Sequence, residues 1–544
     1  MRRGAEMTAG RRPVRLAAVL LTAAVLLAGL SGCKKDSPEG KGFRFPLGAE
    51  PRQIDPQVST DAASVTLVAA LFEGLARLDE NGRAVPGAAE WSVSPDGLTY
   101  TFTLRESAWS DGTPVTAQDF VFGMQRAVLP STRSTLAEQL FCIRGAREVN
   151  AGTAEASALA VAATGERTLE ITLVEPDEEF PEKTAATPFM PCNEAFFEKT
   201  AGRYGLEEEF ILSNGPFLLK KWNHGENLLL NKHEGYHDAA NVLPSAVRYM
   251  IGEVEDPVGE LTGGTLDAAP IPSAQLAQAR EAGLTLVMLE DTIQTLYFNN
   301  GNQALGNGSI RRALRGALVW DSISAQLDSE TERPAQGFVS PAATAGDQPY
   351  RTDANARTPE TLSREDASAL LAQGLREQSL ARMPKLTLLC RDDAYSQNLA
   401  RYIVQSWQRN LSLYFSIEAV TASQLESRVK VGNYDIALYA AAAPGSGAID
   451  AFRCFTTDAA GNYAHFSESG FDQAVEAALL GSVEREELEA LETTLWELCP
   501  SVPLSFVRRY VGIAPNDSGI LVRPFGGGAF GAPYDFRSAG KLDK

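Results

Sequence analysis

His233, Glu234 and His237 stand in the order H-E-x-x-H within LLLNKHEGYHDAANVLP, residues 228–244. On a helix that spacing puts two imidazoles on one face as zinc ligands, with the glutamate beside them to deprotonate a bound water. The flanking sequence denies the motif its helix. Leu228 to Lys232 belongs to a strand pattern, Gly235 sits inside the motif, and Pro244 follows; glycine there weakens a helix by about 1 kcal/mol against alanine. The expected structure is a solvated turn after a strand. Zinc metalloprotease is a remote alternative, with Glu253 or Glu255 as third ligand. A second signature, GGGAFG at 526–531, meets G-x-G-x-x-G, but a dinucleotide site needs a helix after the glycines, and Pro533 interrupts. No G-x-S-x-G and no P-loop occurs, and His224 and His465 have no neighbouring partner in sequence. Nothing here requires an enzyme, a cofactor or a metal.

The elements that must position these residues alternate along the chain. In LTYTFTL, residues 98–104, Leu98, Tyr100, Phe102 and Leu104 share one face, the period of a half-buried strand. Trp109, Asp111, Gly112 and Pro114 supply a turn, and Thr116 with Asp119 forms a capping box opening a helix through Phe120, Val121 and Met124. TLEITLVEP (168–176) is another strand, and 214–237 reads as two strands joined by a turn at Asn223 to Asn227. Further on, Ile310, Leu314, Ala317 and Leu318 make one helical stripe, and Leu488, Leu491, Leu495 and Leu498 another. Arg311, Arg312 and Arg315 then fall on a solvated face of the first of these helices, or on a docking face. Mixed strands and helices throughout indicate α/β or α+β domains.

At 544 residues the chain suggests two to four domains. A net charge of −20 argues against nucleic acid as a partner, because phosphates demand clustered Lys and Arg. The N-terminus differs: Arg2, Arg3, Arg11, Arg12 and Arg15 precede the uncharged run Leu16 to Leu30, an export signal too short to span a membrane. The run ends in LSGC, which resembles the lipobox of bacterial lipoproteins and implies a lipid on Cys33, residues 1–33 forming the signal and lipobox. Residues 34–42 then read as a flexible tether. Cys142, Cys192, Cys390, Cys454 and Cys499 remain, an odd number without C-x-x-C spacing, so at least one is free and buried thiols are expected.

Taken in order, EPRQIDP, LFEGLARLDENGRAVPGAAEWSVSPDGLTYTFTLRE, WSDGTPVTAQDFVFGMQR, NGPFLLKKW and LYFNNGNQALGNGSIRRALRGALVWDSI resemble the extracellular solute-binding proteins of bacterial ABC importers, family 5. The oligopeptide- and dipeptide-binding proteins are the nearest group. The resemblance spans Phe43 to Phe506 and implies a bilobal periplasmic-binding-protein-like fold of type II with an extra inserted domain. Lobe I then comprises 43–80, 206–296 and 506–544, the inserted domain 81–205, and lobe II 297–505. It also implies a monomer, anchored by lipid at the outer face of the cell membrane, that captures a peptide or peptide-like solute and delivers it to ABC transporter permease subunits.

By the same resemblance, YDIALYAAAAPGSGAIDAFRCF (434–455) is the segment whose backbone pairs with the ligand, so Tyr439, Ala440, Ala441 and Ala442 border it. The family carries there a tryptophan and then an aspartate that pairs with the peptide's α-ammonium; this chain has Ala441 and Pro444. A buried ammonium needs a carboxylate, which leaves Asp450, or Glu50 at the start of EPRQIDP, to supply it. Without one, free amines contribute less than in typical peptide binders, and the cargo is a modified peptide, a metal chelate or another small solute. Ordinary strand packing is the competing account of the alanine run.

Overall fold

The computed structural model describes residues 42–79, 83–346, 348–459, 461–480, 483–524 and 534–541. The signal segment, Cys33 and GGGAFG lie outside the described residues. Strand β1 (Phe43–Pro46) is followed by helix α1 (Ala62–Leu71), whose Asp61 side chain caps the Ser64 N–H at 3.0 Å. Next comes an antiparallel sheet of β2 (Ala89–Val93), β3 (Thr99–Leu104), β4 (Val161–Gly165) and β5 (Thr168–Thr172) in the order β2-β3-β5-β4. Tyr100, Phe102 and Leu104 of β3 are buried, as the alternation requires. Helix α2 (Ala117–Val128) opens on the Thr116/Asp119 capping box. Before it, Gly112 takes φ +86°, a conformation that favours glycine, and donates to the Trp109 carbonyl at 2.8 Å. Trp109 itself is fully buried.

Strands β6 (Phe217–Asn223), β7 (Asn227–Lys232) and β8 (Ala246–Met250) add to β1 in the order β1-β8-β7-β6. The expected turn at Asn223 to Asn227 joins β6 to β7 with Asn223 opposite Asn227. Phe45, Phe102, Phe120 and Phe217 belong to one apolar core that spans both sheets.

The third sheet has seven strands: β9 (Ala268–Ile271), β10 (Thr285–Phe298), β11 (Glu332–Pro334), β12 (Thr387–Arg391), β13 (Ser416–Val420), β14 (Ile436–Ala442) and β15 (Ser501–Ile513). Their order is β9-β15-β10-β14-β12-β13, with β11 also on β15. The 14-residue β10 and 13-residue β15 pair from Thr285↔Ile513 to Tyr297↔Ser501, with a register shift between Leu289 and Thr292. Leu289, Val511 and Ile513 enter the first core, whereas Leu296, Phe298, Val502 and Leu504 enter a second one. The two strands thus join separate cores, the bilobal α/β arrangement. The other face of the sheet carries a third core that includes Tyr297, Ala437 and Phe452.

Helix α3 (Gly308–Gly316) ends before Ala317 and Leu318, which stay buried beyond its last turn. Its arginines correct the expectation of a solvated face. Helix α9 (Arg485–Leu498, preceded by α4 to α8 below) ends against them. Arg311 Nε, Arg311 Nη2, Arg312 Nη1 and Arg315 Nη1 donate to the carbonyls of Cys499, Leu498, Glu497 and Trp496 at 2.9, 2.8, 3.2 and 2.6 Å. A helix leaves its last four carbonyls unsatisfied and its C-terminus partially negative, and three guanidinium groups answer both deficits. Burial lowers the Arg311 pKa to about 10, still far above neutral.

The intervening helices are α4 (Arg364–Glu377), α5 (Ala394–Leu411), α6 (Ala422–Lys430), α7 (Ala448–Arg453) and α8 (Ser469–Leu480). All five described cysteines are free thiols, four of them buried. Among the described residues no helix is long and apolar enough to cross a membrane.

Candidate functional site

A cavity of about 420 Å³ opens between the segment that follows α2 and the helices α7 and α8. That volume lies in the range of small-molecule sites, about 300–1,000 Å³. Phe141, Arg147 and Lys183 stand on one wall, and Asp450, Arg453 and Glu476 on the other. The walls touch where Arg147 forms an ion pair with Glu476, its guanidinium 4.7 Å from the Phe141 ring centroid, and where Lys183 Nζ reaches the Leu479 carbonyl at 3.5 Å. Burial opposes the Lys183 charge, but Asp177 at 2.6 Å outweighs it and raises the pKa. Carboxylates outnumber cations along the lining: Glu138, Glu179, Glu182, Asp450, Asp472 and Glu476 face Arg83, Arg147, Lys183 and Arg453. The field therefore favours a ligand with a positive end.

Asp450 sits in the first turn of α7 and is buried. Arg453 approaches it only to 3.9 Å. Burial raises its pKa, with Arg453, the Gly447 backbone and Lys183 pulling the other way without prevailing. An underpaired buried carboxylate on a cavity wall is a ready partner for a ligand cation.

The chain that leads into α7 is β14. Over Leu438 to Ala442 it pairs antiparallel with β10, residues Thr292 to Leu296, but β12 meets it only at Ile436 and Ala437. Among the described residues no strand takes the other edge of Leu438 to Ala442. Tyr439, Ala440 and Ala441 are half-buried and Ala442 is exposed, so unpaired backbone groups border open space. Behind this strand a smaller cavity of about 50 Å³ is bounded by Ile293, Tyr297, Phe338, Ala441 and Tyr463.

Glu50 lies elsewhere, on the loop after β1. Its carboxylate accepts from Trp222 Nε1 at 2.7 Å, from the Gly225 N–H at 2.8 Å, and contacts His224 Nδ1 at 2.7 Å. Burial raises its pKa, yet the Gly225, His224 and Trp222 hydrogen bonds hold it below the ordinary glutamate value. Asp450 thus lines the larger cavity and Ala441 and Ala442 the smaller one, while Glu50 is engaged with the β6–β7 turn.

Comparison with known proteins fits this architecture. The sequence model for bacterial extracellular solute-binding proteins, family 5 (middle part), matches residues 84–463. The chain belongs to that family. It is 30% identical over 394 residues to the oligopeptide-binding protein OppA of Bacillus subtilis (strain 168), covering 70% of this chain and 71% of that one. It is 26% identical over 546 residues to a dipeptide-binding protein of Lactococcus lactis subsp. cremoris, covering 95% and 98%. Among solved structures, the pheromone receptor PrgZ superposes with a TM-score of 0.77 at 25% identity, covering 93% of this chain and 100% of that one.

The family-5 segments quoted above meet one another in space. Asn214 of NGPF brackets Glu73 of LFEGL, accepting from its N–H at 3.2 Å and donating to its carbonyl at 3.0 Å. A Cβ on Gly215 would lie 2.8 Å from the Leu71 and Phe72 backbone, so the close approach requires glycine. Arg126 of FGMQR is buried and pairs with Asp55 of EPRQIDP; it also donates to Gln57 Oε1 at 2.9 Å and Cys192 Sγ at 3.3 Å.

HEGYH belongs to this family framework too. It forms a turn after β7, as expected, with Glu234 and Gly235 exposed but His233 and Tyr236 buried, which corrects the fully solvated reading. His233 Nδ1 donates to the Gly215 carbonyl at 3.0 Å, and burial lowers its pKa. Tyr236 Oη and His237 Nε2 both reach the buried Glu73 carboxylate at 2.5 Å, while Glu234 is exposed. The two imidazoles serve different partners, one the Gly215 carbonyl and the other the Glu73 carboxylate. Metal analysis of the protein, with His233→Ala/His237→Ala as control, is expected to show no stoichiometric zinc; zinc that disappears on mutation would overturn this account. His237→Ala alone should lower the unfolding free energy by about 1–3 kcal/mol, because Glu73 loses one buried partner.

Arg147, Lys183 and Glu476 were not singled out from the sequence. No local spacing relates them, since they meet only after the walls of the cleft assemble.

Proposed function

We propose that this protein captures a peptide or peptide-like solute in the cleft and delivers it to the permease subunits of an ABC importer, making and breaking no covalent bond. The observation that carries this reading is the one-sided strand over Leu438 to Ala442. A ligand backbone adds to that edge as a further strand, a mode that accepts many side chains because the main chain supplies the hydrogen bonds. Asp450 takes the place of the carboxylate missing at Pro444 and receives the ligand's α-ammonium. The acidic lining and the oligopeptide and dipeptide binders among the relatives support the same assignment. Lobe II (297–505) closes toward lobe I (43–80, 206–296 and 506–544) and its inserted domain (81–205), and the receptor acts as a monomer. Glu50 borders the ligand path only after release from the β6–β7 turn.

Calorimetry with alanine tripeptide and its N-acetylated twin tests capture directly. Binding of the free peptide, weakened strongly by acetylation, is the expected result. If neither binds, the cargo is a different solute, such as a modified peptide or a metal chelate. Mass spectrometry of whatever the denatured protein releases then identifies its class.

Attachment is proposed through lipid on Cys33, at the outer face of the membrane. Cys33→Ala is expected to abolish incorporation of labelled fatty acid and to release the protein into the soluble fraction. Wild-type labelling of the variant would refute the anchor.

A further inference from the structure

The small cavity behind β14 has a polar feature that the fold itself does not use. Ser340 is only 4% exposed, lines the cavity, and its Oγ has no hydrogen-bond partner among the described residues. A buried hydroxyl left without a partner is destabilising, so such a group calls for an explanation.

The walls explain the cavity's shape. Ile293 stands opposite Ala441 and Thr295 opposite Tyr439, so these residues share one face of the sheet. Tyr297 and Tyr463 meet edge to face at 5.8 Å, and Phe338 and Phe455 at 5.6 Å, giving rigid aromatic sides. Ala441 and Ala443 leave open the space that larger side chains would fill, and exposed Ala442 stands at the rim. At about 10–15 Å³ per water-sized site, a volume of about 50 Å³ holds about three or four non-hydrogen atoms.

Resting on the capture reading above, we propose that this cavity is a specificity subsite for one ligand side chain, small and carrying a hydroxyl, which Ser340 recognises. A ligand strand added along Leu438 to Ala442 sends alternate side chains to the two faces of the sheet. The one on the Ala441 face enters the cavity. Its methyl or methylene contacts the aromatic walls, and its hydroxyl pairs with Ser340 Oγ. Threonine fits both requirements, serine fits less tightly, leucine fills the space without a hydroxyl to offer, and phenylalanine exceeds it.

Alanine tripeptides carrying Gly, Ser, Thr, Val, Leu or Phe in turn at each position, titrated by calorimetry, test this. At one position threonine should bind about tenfold tighter than valine, its near-isostere without the hydroxyl, leucine should likewise lack that advantage, and phenylalanine should bind weakest. Ser340→Ala should erase the threonine-over-valine preference. Ala443→Leu, which lies outside the pairing strand, should fill the cavity, retaining peptides with glycine there and losing those with threonine. Retention of the glycine peptides shows that each variant folds. The subsite is overturned if peptides bind but no position prefers threonine, or if the preference survives Ser340→Ala. Failure of every peptide to bind overturns the capture reading itself, and the subsite with it.

Discussion

Asp450→Asn is expected to weaken binding of a free-amine tripeptide by about 10²- to 10³-fold and to leave the N-acetylated twin unchanged. Removing one partner of a buried ion pair strands the other charge, a loss of about 3–5 kcal/mol. The pH dependence has a defined sign. Burial raises the Asp450 pKa in the ligand-free protein, whereas a ligand ammonium favours the ionised carboxylate. Affinity is therefore full above that raised pKa and falls as pH drops through it, with proton release on binding, measurable in buffers of different ionisation enthalpy. Stability runs the other way. Because the folded pKa exceeds the unfolded one, stability declines as pH rises from the unfolded value to the folded one, and the full penalty persists above it. The ligand-free asparagine variant should accordingly be somewhat more stable at neutral pH while binding worse. Equal losses for both peptides, or a less stable variant, would remove Asp450 from this role.

Arg126→Ala should produce the largest loss of stability, about 3–5 kcal/mol, because it strands the Asp55 carboxylate in the core. Gln57 and Cys192 lose a donor at the same time, and the guanidinium no longer covers the Phe197 ring, 4.3 Å away. The double variant Asp55→Asn/Arg126→Met should recover part of the loss, since a neutral pair of similar volume removes the stranded charge. Urea unfolding followed by tryptophan fluorescence, analysed as a double-mutant cycle, measures the coupling. A single-variant loss below about 1 kcal/mol would show that the pair is not what holds EPRQIDP to α2.

What could be read without the structure was local in origin. The alternation through Tyr100, Phe102 and Leu104, the Thr116 capping box and the turn at Asn223 to Asn227 each depend on residues a few positions apart, and each was found as expected. The arginines of α3 could not be read the same way. Their spacing is that of a solvated face until the end of α9 arrives with open carbonyls. HEGYH lacks the helix that a zinc motif needs, as its flanks predict, but nothing nearby announced that Tyr236 and His237 would meet the buried Glu73 carboxylate. The cleft was legible only in part. The family resemblance named Glu50, Tyr439 through Ala442 and Asp450, of which Asp450 lines the larger cavity, whereas Arg147, Lys183 and Glu476 on its walls carry no local signature at all.

The pairing of β10 with β15 also bears on how the chain reaches its native state. Thr285 waits for Ile513, and in the first sheet Phe43 waits for Val247, so neither end of the molecule can finish its sheet from nearby sequence. Such distant closures carry an entropy penalty before any contact compensates for it, which slows folding. Emerging from the ribosome, Ala268–Ile271 and Thr285–Leu289 have no strand partner until Ser501–Ile513 is made, whereas Thr292–Phe298 can pair earlier with Ile436–Ala442. The protein thus remains incompletely folded for most of its synthesis, with one edge of Thr285–Phe298 open until Ser501–Ile513 arrives.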